Sequence, residues 1–145
     1  MRDYLVFETD HFTVSQAKAY RVPGYLIVES KANRTRVADF TPGQAADLLK
    51  CLADAETLVQ AIVKPERVYI LKFGEANPRV HFHVFPRTAR LARAYLAHVP
   101  DRKPYSGARI VDWTWRNHES IGFTDRQIRA FIAKARKIVR QRNER

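Results

Sequence analysis

The sequence predicts a fold that combines β-strands with long capped helices, and three features carry that prediction. Residues 68–73 and 79–85 are β-prone runs separated by the turn-forming stretch from Gly74 to Pro78, the pattern of a hairpin. Thr41-Pro42-Gly43-Gln44 is a capping box with proline at the first helical position, and the apolar residues at 45, 48, 49, 52, 55, 59, 62 and 63 keep helical spacing behind it. Thr124-Asp125-Arg126-Gln127 is a second capping box. It opens a basic segment with an apolar stripe at Ile128, Phe131, Ile132, Ala135, Ile138 and Val139.

In chain order, residues 4–8 and 11–15 alternate in polarity and read as a short hairpin or edge pair around Thr9-Asp10. Val22-Pro23-Gly24 is a turn signal directly before Tyr25-Leu26-Ile27-Val28, a buried strand bounded by the polar stretch from Glu29 to Arg36. A helix follows over residues 42–63 and is stopped by Lys64-Pro65. The hairpin strands come next. Beyond Pro86 the sequence reads as irregular, with Pro100, Pro104 and Gly107 as breakers. Trp113 and Trp115 alternate around Thr114, which suggests a short strand or an ordered lid, with both indoles as packing residues.

A chain of 145 residues is expected to form one domain. No apolar run reaches the length of a membrane span, and the start of the chain lacks a secretory signal, so a soluble, cytoplasmic protein is expected. The lone Cys51 belongs to no ligand pattern and reads as a buried apolar residue on a helix. The net charge of +11 is uneven: residues 79–109 and residues 124–145 each carry +6. That excess predicts attraction to polyanions, including nucleotides, nucleic acid or an anionic membrane, and its bland counterpart is a solvated cationic face.

The chemistry is concentrated in Arg79-Val80-His81-Phe82-His83-Val84-Phe85-Pro86-Arg87. On a strand, Arg79, His81, His83 and Phe85 share one face while Val80, Phe82 and Val84 share the other. The two imidazoles stand roughly 7 Å apart at their Cα atoms, close enough to converge on one phosphate. A neutral imidazole is a competent nucleophile once its second nitrogen is fixed by a hydrogen bond, and Arg79, Arg87 and Asn77 are the candidates to hold phosphoryl oxygens. A zinc site joining His81 and His83 to His98 or His118 has no acidic or cysteine partner at ligand spacing, so no metal and no other cofactor is expected. His11, His98 and His118 read as surface or packing residues.

The order of Pro23-Gly24-Tyr25-Leu26-Ile27-Val28, Asp39-Phe40, a capped helix, a hairpin and the strand from Arg79 to Arg87 resembles the histidine triad superfamily of nucleotide hydrolases and transferases. The match covers residues 5–90, leaving 91–145 as a C-terminal extension that ends in the basic helix. The resemblance implies an α+β fold: a mainly antiparallel sheet of about five strands, one long helix on it, and commonly a homodimer. It implies that His81 attacks the α-phosphorus of a nucleotide to form a nucleotidyl-histidine that water hydrolyses, while His83 holds phosphoryl oxygens. The expected partner is then a nucleotide or another phosphorylated small molecule, with nucleic acid as a further polyanion and no membrane. Arg79 stands in the place of the motif's first histidine, and Tyr25 where a Pro-Gly-His sequence ends. Ala17, or Gln16 one residue away, stands where the family carries its ribose-binding Asn or Asp. The competing reading is a catalytically inactive module that binds nucleotide, nucleic acid or a partner protein through its basic surface.

Overall fold

Strand pairing follows the period-two burial of the apolar residues, and the computed structural model, which describes residues 2–145, arranges five strands in one antiparallel sheet. The strands are β1 (Leu5–Glu8), β2 (Phe12–Gln16), β3 (Leu26–Ser30), β4 (Arg67–Leu71) and β5 (His81–Arg87), in the spatial order β1-β2-β3-β5-β4. Four helices accompany them: α1 (Pro42–Val63), α2 (Ala89–Leu96), α3 (Gly107–Ile121) and α4 (Asp125–Asn143). Among the described residues no helix is long and apolar enough to cross a membrane.

One face of the sheet, built from Val6, Phe12, Val14, Leu26, Val28 and Val84, packs against α1 and α4. The capping box at Thr41 is complete, with its hydroxyl on the Gln44 N–H and the Gln44 side chain on the Thr41 N–H, and α1 ends at Lys64 in the left-handed conformation. α1 buries Leu48, Cys51, Ala55, Leu58 and Val59. Leu49, counted in the sequence stripe, is instead 70% exposed. The second capping box, at Thr124, is equally complete. Arg136 on α4 donates to the carbonyls of Arg2, Asp3 and Leu5, so part of that helix's positive charge ties down the N-terminal segment.

The opposite face carries Tyr25, Phe85, Ile27, Tyr69 and Leu71 and is covered by α2 and α3. Here the structure departs from the sequence reading. The strand expected to end at Phe85 continues through Pro86 to Arg87. β3 pairs with β5 only from residue 81 to 84, so proline's missing N–H falls where no β3 acceptor waits. The segment read as irregular after Pro86 holds α2, whose N-cap Thr88 accepts the Leu91 N–H. The stretch read as a strand or lid around Trp113 is α3, capped by the Ser106 hydroxyl on the Arg109 N–H and ended by Gly122 at φ 85°. On a helix, residues two apart diverge by roughly 200°, so the two indoles go to different places.

The loop between β2 and β3 is held from inside by Gln16. Its side chain is 1% exposed, donates to the carbonyls of Ala17 and Val22, and accepts the Gly24 N–H. Gly24 has φ +86°, and a Cβ there would stand 3.1 Å from Val63. This clamp delivers Tyr25 to the α3 side of the sheet. Gln16→Leu is expected to lower stability by about 2 to 3 kcal/mol, because three buried backbone groups lose their partner. Urea unfolding of the two proteins measures it, and an unchanged midpoint would show that the Gln16 bonds do not stabilise the loop.

Candidate active site

His81 and His83 sit on β5 with one residue between them, facing away from Val84 and the α1 layer. Both rings are half-buried, with centroids 5.3 Å apart and planes tilted by 54°. His81 Nδ1 lies 2.9 Å from the carbonyl oxygen of Arg79. A carbonyl can only accept, so this nitrogen carries the proton and a neutral His81 keeps its lone pair on Nε2. The backbone that supplies the carbonyl is itself fixed. The Arg79 N–H donates to Asn77 Oδ1 at 3.1 Å, and Asn77 Nδ2 donates to Glu29 Oε1 at 2.7 Å.

His83 is held the other way round. Its Nδ1 is 2.6 Å from Tyr25 Oη, and the same hydroxyl oxygen accepts the Trp115 Nε1–H at 2.9 Å. An indole nitrogen is a donor only, and among the described residues the only other partner of the buried hydroxyl is His83, so the phenolic proton goes to Nδ1. Nε2 of His83 therefore carries hydrogen. The pair presents one lone pair and one N–H side by side. Burial, with His81 as the smaller cause, lowers the His83 pKa from 6.5 to about 4, which keeps the ring neutral at physiological pH. Burial also pushes the Tyr25 phenol well above its ordinary range, so its proton is retained.

Aromatic rings frame this relay. Tyr20 stacks on Tyr25 at 5.5 Å and on Trp115 at 5.9 Å, and Phe73 meets the Trp115 ring edge-on at 5.6 Å. Phe73 is 55% exposed, so one side of the site is an apolar edge open to solvent. On the other side, Glu29 is the register partner of His81, with Thr13 next in line across β2. Glu29, Thr13 and Ser15 line a shallow hollow of about 360 Å³ on that same sheet face.

The residues expected to bind phosphate are not all brought together. Arg79, expected on the strand, instead lies in the loop two residues before His81, where β5 begins; it is half-exposed and in no ion pair among the described residues. Both ends of the Asn77 amide are occupied, by Glu29 and by the Arg79 N–H. Arg87 lies four residues beyond His83, about 13 Å along the strand, in a different pocket. Gln16 is spent on the loop clamp and Ala17 is 5% exposed, so neither offers a group to a ribose. The His98 ring lies tilted against Trp113, and His118 Nδ1 accepts the Arg21 N–H. Among the described residues no group of three His, Cys, Asp or Glu could hold a metal ion.

Sequence reasoning missed three residues here. Trp113 is core, as expected, but Trp115 is part of the site, and its signal lay in the Ser106 cap that makes the segment a helix. Tyr25, standing where a Pro-Gly-His sequence ends, supplies a hydrogen bond to His83. Glu29 became visible only through the strand register.

This architecture can be compared with solved structures. A histidine triad protein from Bradyrhizobium japonicum superposes with a TM-score of 0.59 at 15% identity, covering 94% of this chain and 90% of that one. One from Sinorhizobium meliloti gives 0.59 at 17% identity over the same shares. The chain has the histidine triad fold. The NitFhit protein of C. elegans matches at 0.53 and 22% identity over 79% of this chain, which spans only 27% of that longer protein. No protein-family model matches the sequence, and no curated protein does. The structural likeness at these identities carries the fold, a five-strand antiparallel sheet accompanied by four helices.

Two outcomes follow from the relay. An unfolded His83 takes up a proton near pH 6.5, whereas the folded ring stays neutral down to about 4. Between these values the unfolded chain binds more protons, so stability is expected to fall as pH drops from 6.5 to 4. Unfolding midpoints across that range should show a shallower decline in His83→Asn, and an identical decline would contradict the assignment. Tyr25→Phe leaves the Trp115 N–H and His83 Nδ1 without their shared partner, at an expected cost of about 1 to 3 kcal/mol in urea unfolding.

Proposed function

We propose that this protein is a nucleotide phosphohydrolase or nucleotidyl transferase that works through a covalent intermediate on His81. The observation that carries the reading is the 2.9 Å contact of His81 Nδ1 with the Arg79 carbonyl, which leaves Nε2 as the nucleophilic nitrogen. Nε2 attacks phosphorus in line with the leaving group, a P–N bond forms, and the bond to the leaving group breaks. Water then attacks the same phosphorus, the P–N bond breaks, and a monophosphate departs as Nε2 regains its lone pair. The Nε2–H of His83 donates to a nonbridging phosphoryl oxygen, and the Arg79 guanidinium adds positive charge where the phosphoryl oxygens develop it.

The loop clamp narrows the substrate class. Since Gln16 and Ala17 offer nothing to a ribose diol, recognition rests on the phosphoryl group and on the exposed aromatic edge at Phe73 and Trp115. Phosphoramidates and phosphoanhydrides with an aromatic or heterocyclic substituent fit that division. Intact-mass spectrometry after incubation with nucleoside phosphoramidates, dinucleoside polyphosphates and sugar nucleotides tests the mechanism. A nucleotidyl mass on the wild type, absent from His81→Ala together with a loss of turnover on the order of 10³-fold or more, is expected. Neither adduct nor turnover across that panel would end it.

One feature favours the second reading, a non-catalytic binding module. The Glu29 carboxylate is the register neighbour of His81 and opposes the approach of an anion. In that reading the basic surface of α4 holds a nucleotide, nucleic acid or partner protein, binding weakens steeply with salt, and His81→Ala changes nothing. Turnover that depends on His81 decides between the two.

A further inference from the structure

We propose a second anion site, separate from the histidine pair, in which Arg87 and the N-terminus of α3 hold the phosphoryl group of a small phosphorylated molecule. Arg87 is 8% exposed. Its Nη1 donates to Tyr69 Oη at 3.2 Å and its guanidinium lies 5.3 Å from the Tyr105 ring centroid. Nε is shielded from solvent and has no hydrogen-bond partner. No carboxylate pairs with Arg87 among the described residues. A guanidinium cannot discharge itself by losing a proton, so burying it without a counter-ion carries a desolvation cost that an incoming anion offsets.

The space in front of it suits that anion. Arg87 lines a pocket of about 580 Å³ together with Arg67, Lys103 and a single acid, Glu66. Three cations against one carboxylate leave two positive charges, the complement of a phosphate dianion rather than of a monovalent carboxylate. The pocket wall also includes Gly107, the first residue of the 15-residue helix α3. Ser106 caps the Arg109 N–H with its hydroxyl and the Ile110 N–H with its carbonyl, which leaves the Gly107 and Ala108 amides without an acceptor in the helix. A Cβ at Gly107 would stand 3.1 Å from the Tyr69 ring, so bare backbone is what fits against this wall. Asp101, the nearest acid on the incoming loop, is already bound to Tyr95 Oη and to the Ser106 N–H.

This pocket cannot share one phosphate with His81 and His83. Arg87 is about 13 Å further along β5, and the stacked rings of Phe85 and Tyr69, 5.8 Å apart, stand on the intervening face. The site therefore stands whether or not His81 proves to be a nucleophile.

Calorimetric titration of the whole protein with inorganic phosphate and with pyrophosphate, against acetate at matched ionic strength, tests the assignment. The nitrogen-15 spectrum of backbone amides and arginine Nε groups is followed in parallel. Phosphate or pyrophosphate is expected to bind and to shift the Gly107 amide and Arg87 Nε–H signals, shifts distinct from any at the amides of His81 and His83. Arg87→Gln should weaken binding by about tenfold or more, the loss of a charge-assisted bond. Should Arg87→Gln fail to fold, the exposed-rim variants Arg67→Gln and Lys103→Gln replace it, each weakening binding several-fold. Undiminished binding in these variants, equal binding of acetate, or shifts confined to His81 and His83 would overturn the proposal.

Discussion

Two imidazoles one residue apart on a strand are chemically equivalent until something fixes where their protons sit. In this protein a backbone carbonyl fixes one and a buried phenol fixes the other. The first forces the proton of His81 onto Nδ1, and the second leaves the proton of His83 on Nε2. The outward-facing nitrogens then differ in kind, one able to attack and the other able to donate. The chemistry open to the β5 face rests on that inequality, which would vanish if either partner were lost.

The rest of the fold can be understood as what keeps those two partners in place. The Arg79 carbonyl is positioned because its residue's N–H is tied to Asn77, which also holds Glu29 on the neighbouring strand. Tyr25 arrives from a loop whose polar groups are satisfied by the buried Gln16 amide, and its hydroxyl is aimed by the indole of α3. Each of these bonds contributes about 1 kcal/mol net, and the groups satisfied around Gln16 and Tyr25 are buried or partly buried and would cost more if orphaned. The α2–α3 layer packs over one side of the reactive face and constrains its side chains, while the side at Glu29, Thr13 and Ser15 stays open.

Much of this was legible in the residues. Both capping boxes mark helices whose starts follow from side-chain-to-backbone bonds within four residues, and the β4–β5 hairpin follows from alternation around a turn. The division of faces on β5 follows from the strand period alone. What was not legible depends on long-range packing. Trp113-Thr114-Trp115 alternates as a strand would, and it is the Ser106 cap together with burial of Ile110, Val111, Trp113 and Thr114 at helical spacing that marks α3 as a helix. Arg87 lies in the same motif as the histidines, yet strand rise carries it to another pocket. The role of Tyr25 required knowing that residues 25, 83 and 115 meet, contacts that span 58 and 90 positions along the chain.

The most direct measurement is a long-range proton–nitrogen spectrum of the histidine rings at neutral pH, which distinguishes protonated from unprotonated ring nitrogens. His81 is expected to carry hydrogen on Nδ1 with a bare Nε2, and His83 to show the reverse. Two rings in the same tautomer, or a His83 already doubly protonated near neutrality, would contradict it.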